Sequence, residues 1–91
     1  MKQATFAKLV ARITALDHVV ADLHVSEFLQ KPNPLEEAGR WSSRLKESAR
    51  HATIPGFDPT VSDALSQEFS EAVDALADLT LSLLRQKLGT Q

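Results

Sequence analysis

Six apolar residues, Phe6, Leu9, Ile13, Leu16, Val20 and Leu23, follow one another at spacings of 3, 4, 3, 4 and 3. A strand cannot produce that rhythm, because its side chains alternate with a period of two. An α-helix with one apolar seam produces it directly. The first segment, from about Ala4 to Gln30, is therefore expected to be a long helix that needs a partner surface along most of its length. Val10, Val19 and Phe28 widen the apolar face. The helix should stop before Pro32, because a residue that precedes proline avoids helical geometry.

Proline and glycine divide the remainder. Asn33-Pro34-Leu35-Glu36 reads as a helix start, with Asn as N-cap, Pro in the first turn and Glu placed to complete a capping box. That second helix should run to about Ala52, with a narrow stripe of Leu35, Ala38, Trp41, Leu45, Ala49 and Ala52. Pro55 and Gly56 form the next break, and Asp58-Pro59 repeats the cap-then-proline start. The third helix carries Val61, Leu65, Phe69, Ala72, Leu76, Leu79 and Leu83, and Gly89 stands where a left-handed stop belongs. Short connections favour antiparallel neighbours. The expected fold is thus all-α: a single three-helix up-down-up bundle over residues 1–91, with long first and third helices and a shorter middle one. Ile13, Val20, Leu65, Phe69, Leu76 and Leu83 lie at the centres of their stripes and are expected to form the middle of its core.

Composition narrows the function. The chain has 91 residues, a net charge of −2 and no cysteine, which leaves no disulfide frame, thiolate metal site or cysteine nucleophile. One Trp, four Phe and no Tyr are too few for a base-stacking platform, and the acidic balance disfavours a nucleic-acid partner. No apolar run approaches the ~20 residues needed to span a bilayer. Lys2, Lys8 and Arg12 precede the first acid, as in a transit peptide, but the heptad continues unbroken past Asp17. Lys8 and Arg12 also fall where a secretory signal would need an apolar core. A cytoplasmic protein without a cofactor or metal is expected.

Catalytic motifs are absent: there is no phosphate loop, nucleophile elbow, HExxH or EF-hand loop. Three titratable residues nevertheless fall near the apolar stripe of the first helix: Asp17, His24 and Glu27, within about 40° of its centre. Placed there they need compensation. Arg40 or Arg44 of the second helix could supply it, water could enter a splayed bundle, or the three could specify pairing in an oligomer. They could also line a ligand or metal pocket; in any case its place in the seam requires His24 to be mostly buried and hydrogen-bonded to a carboxylate or a backbone group. His18 and Asp22, four apart on the far side, read as an exposed helical pair. Arg40, Arg44 and His51 on one flank of the second helix, with Lys46 and Arg50 on the other, read as long basic side chains beside a narrow apolar stripe.

The run Arg12-Ile13-Thr14-Ala15-Leu16-Asp17 resembles the first helix of small all-helical chorismate mutases, which also have three helices. The resemblance covers this stretch alone. Pro32 and Pro34 break the chain where those enzymes continue one long helix, and their convergent cations are not matched in register. The reading that follows from the residues is a small regulatory or adaptor-type interaction protein. The alternative is a ligand-binding or enzymatic site around Asp17, His24 and Glu27. The expected interface is the second apolar row of the third helix, with Val73, Leu81, Leu84 and Leu88, and the expected partner is a second copy or another protein.

Overall fold

The computed structural model describes residues 3–52 and 58–89, and the Pro55-Gly56 break lies outside them. Three helices form an up-down-up bundle: α1 (Gln3–Phe28), α2 (Pro34–Arg50) and α3 (Pro59–Leu88). Their ends follow local chemistry. Asp58 Oδ1 accepts from the backbone N–H groups of Thr60 and Val61 at 3.1 and 3.2 Å, which caps α3. Gly89 closes α3 with φ of 73°, a left-handed conformation that costs an L side chain about 1–2 kcal/mol. The start of α2 differs from the expected capping box. The Asn33 carbonyl accepts from the Glu37 N–H, but its side chain makes no cap bond, and Glu36 turns instead to Arg40 at 2.8 Å.

The helices meet at one end. Val25 and Phe28 of α1, Ala38 of α2 and Leu84 of α3 form the buried cluster, with Leu35, Trp41, Leu81 and Leu83 packed against it. Helix α3 lies against both others, whereas α1 meets α2 mainly through its last turns. Along the α2–α3 pair, Lys46 Nζ reaches Asp78 Oδ1 at 2.7 Å. The expected core centre is displaced. Ile13 is 57% exposed, Val20 36% and Phe69 43%, while Leu65, Leu76 and Leu83 are half-buried.

On α3 the fully buried row is Ala77, Thr80 and Leu84, one residue or about 100° round from the Leu76–Leu83 row. The cause lies on α2, which offers Ala38, Ser42 and Ala49 as its buried face. Small side chains on both helices let the backbones approach, which places the larger leucines at the flanks. The Thr80 hydroxyl is satisfied locally, donating to the Leu76 carbonyl at 2.9 Å.

On α1 the departure is greater. The residues that dock are Asp17 and His24, half-buried, and Ala21, Val25 and Phe28, buried. That stripe lies roughly 90–100° round the helix from the heptad seam. The seam itself faces away from the bundle: Phe6 is 60% exposed, Leu16 64% and Leu23 65%.

Bulk dimensions agree. The radius of gyration is 15.6 Å, against about 12 Å for a compact domain of this length. The accessible surface is 6733 Å², against roughly 5,200 Å² from the scaling of folded monomers.

Candidate functional site

The Asp17, His24 and Glu27 trio does not converge. His24 is half-buried, and its ring is 4.9 Å from that of Trp41 and 6.4 Å from that of Phe28. Phe28 meets Trp41 edge-on at 5.4 Å, so three rings lock the last turns of α1 onto α2. His24 is therefore held by aromatic faces and not, as the seam reading required, by a carboxylate or backbone group. Asp17 is half-buried and Glu27 exposed; among the described residues no hydrogen bond or ion pair joins the three. No group of three or more metal-ligating side chains occurs among the described residues.

Of the two cations expected to compensate the trio, Arg44 is exposed with no ion pair among the described residues and Arg40 is engaged on its own helix. Arg40 donates to Glu36 at 2.8 Å and to Glu37 at 2.7 Å on its own helix, and these carboxylates raise its pKa, the Glu36 hydrogen bond most. Arg50 and His51 both reach Glu47, at 2.9 and 3.0 Å. The His51 hydrogen bond, then that of Arg50, holds the Glu47 carboxyl below its ordinary range. Much of the basic flank of α2 is thus neutralised by its own acids, which leaves little net field for an anionic partner. His18 turns back on its own helix, where Nδ1–H donates to the Thr14 carbonyl at 2.9 Å, and among the described residues it makes no ion pair with Asp22.

The row expected to form an interface on α3 is mostly occupied. Leu84 is fully buried in the core, because α1 and α2 converge on that end of α3. Leu81 packs against the same cluster, Val73 is half-buried, and Leu88 is exposed past it. The row therefore presents no continuous free surface.

The continuous apolar surface is the seam of α1. Phe6, Leu9, Ile13, Leu16, Val20 and Leu23 are all exposed, over about 25 Å of helix. Their period was legible in the chain, but their exposure was not. Length was only a partial signal: α2 has 17 residues against 26 in α1 and cannot cover all of it, but α3 with 30 residues has no such limit. No family model matches the chain, and neither a curated protein nor a solved structure is significantly similar to it. Among the described residues no helix is long and apolar enough to cross a membrane.

Proposed function

We propose that this chain is a small helical interaction protein that acts through the apolar seam of α1 and associates with a second copy of itself. The observation that carries the reading is the exposure of six heptad residues in one unbroken row. Soluble monomers rarely leave so large a contiguous apolar patch open. The area fits the occupant. The chain exposes roughly 1,500 Å² more than a compact monomer of its mass, and a standard interface removes about 800 Å² from each partner. Strict heptad spacing suits a second helix better than a flat surface, because each seam residue inserts between four residues of a facing helix. Asp17, Asp22 and Glu27 outnumber Lys8 and Arg12 on the same helix, which disfavours an anionic lipid surface. A ligand or enzymatic site at Asp17, His24 and Glu27 draws less support, since these groups neither meet nor share a cation.

Light scattering at micromolar concentration tests the proposal. The expected mass is twice 10.0 kDa, falling to that of one chain in Leu16→Asp with helicity retained. A wild-type mass of one chain overturns self-association. Binding of that monomer to phosphatidylserine vesicles would assign the seam to a membrane surface.

A further inference from the structure

We infer that two copies pair through α1 in parallel and in register, as a short two-stranded coiled coil with an Arg12–Asp17 ion pair on each side. This rests on the self-association proposed above and adds its geometry.

Residue types along the seam point to the number of strands. In heptad terms the first core position is held by Phe6, Ile13 and Val20, and the second by Leu9, Leu16 and Leu23. Among parallel coils, β-branched residues at the first position and leucine at the second favour two strands over three or four. Here two of three first positions are β-branched and all three second positions are leucine.

The flanking positions point to the orientation. In a parallel pair, a residue just before the first core position meets the residue five further along in the other copy. Arg12 then meets Asp17 of the second copy, Val19 meets His24, and Thr5 meets Val10. Among the described residues neither Arg12 nor Asp17 has an ion-pair partner within its own chain. Val10 and Val19, both exposed in the single chain, gain cover from a methyl-bearing threonine and from the His24–Trp41 ring pair. Antiparallel pairing aligns the apolar seam equally well but sets Arg12 against Val19 and Val10 against Asp17, a charge facing an aliphatic side chain on both flanks.

The bundle does not obstruct the second helix. α1 docks through Asp17, Ala21, His24, Val25 and Phe28, a quarter-turn from the seam, so the first and second core positions stay open up to Leu23. Glu27 occupies the next seam position, where two carboxylates would face each other, so the pairing ends after Leu23.

Cross-linking reads the orientation directly, because the chain contains no cysteine of its own. Under mild oxidation Leu9→Cys should form a disulfide-linked dimer, while Ala11→Cys on the opposite face should not. In an antiparallel pair the two introduced thiols of Leu9→Cys would be about 16 Å apart along the axis, well beyond the ~7 Å that a disulfide tolerates. A mixture of Leu9→Cys and Val20→Cys would then cross-link in their place. That result, with a dimeric mass by scattering, overturns the parallel arrangement and leaves self-association standing. A monomeric mass overturns both. Charge reversal gives a second readout: Arg12→Glu should weaken the dimer roughly two- to thirty-fold, and Asp17→Arg in the same chain should restore it. Equal affinity of Arg12→Glu and wild type would overturn the ion pair.

Discussion

Leu84→Ala is the substitution that most directly tests where the core sits. Leu84 is fully buried, and it lies in the cluster where all three helices meet. The change removes three carbons from an apolar site. At about 0.8 kcal/mol per buried carbon, the transfer loss is about 2.4 kcal/mol. A residual cavity of ~50 Å³ adds about 1.2 kcal/mol, for a total of about 3.6 kcal/mol. A domain of this length has only about 5–14 kcal/mol in hand. The melting temperature should therefore fall by roughly 15–30 °C. Urea titration followed by far-UV circular dichroism measures the free-energy loss and a thermal melt the temperature shift, with Ile13→Ala as the comparison. Leu84→Ala should lose the same amount at every protein concentration. Ile13→Ala should cost under ~0.5 kcal/mol where the protein is monomeric and more where it associates, because partner binding adds to apparent stability. A loss under ~1 kcal/mol for Leu84→Ala, or a concentration-independent loss above ~2 kcal/mol for Ile13→Ala, would refute the placement of the core.

Other outcomes follow from single groups. Asp58→Ala should cost about 1 kcal/mol by thermal melt, since its carboxylate caps two N–H groups of α3, and Asp58→Asn should recover most of that. Glu47 is depressed in the folded chain, so its contribution is complete above the unfolded carboxyl range and is lost as pH falls through the folded value. Glu47→Gln should accordingly lower the urea midpoint slightly at pH 6 and not at pH 2; an equal shift at both would remove the ion-pair explanation. Phe28→Ala should red-shift the emission of Trp41, the chain's one tryptophan, because Phe28 covers that ring at 5.4 Å. Asp74→Asn should be neutral or stabilising in a melt, since Asp74 Oδ1 is buried without a hydrogen-bond partner among the described residues.

The segmentation of this fold is local chemistry and was legible. Asp58-Pro59 and Gly89 mark both ends of α3, and Asn33-Pro34 marks the start of α2. The choice of buried faces was not legible, for a different reason at each helix. On α3 the close α2 contact selects Ala77 and Thr80, which carry little hydrophobic weight beside the leucines one residue away. On α1 the period of Phe6 to Leu23 states that a partner helix exists, and it is identical whether that helix belongs to the same chain or to another. His24 followed from neither pattern, because its partners are the rings of Phe28 and Trp41, the second of which lies 17 positions further along the chain.

The attachment of α1 at one end makes it a cantilever. Its C-terminal turns are clamped by Val25, Phe28 and the Trp41 ring, while every residue from Phe6 to Ile13 is exposed. An unsupported helix of ~12 residues is marginal in water, so this arm should fray and re-form about a fixed root. Amide hydrogen exchange should show the gradient, slow near Val25 and fast near Ala7, with no step at any residue between. Docking of a second arm would level it. The protein would then carry its occupancy as a visible property of its own backbone: a graded helix when alone, a uniform one when paired.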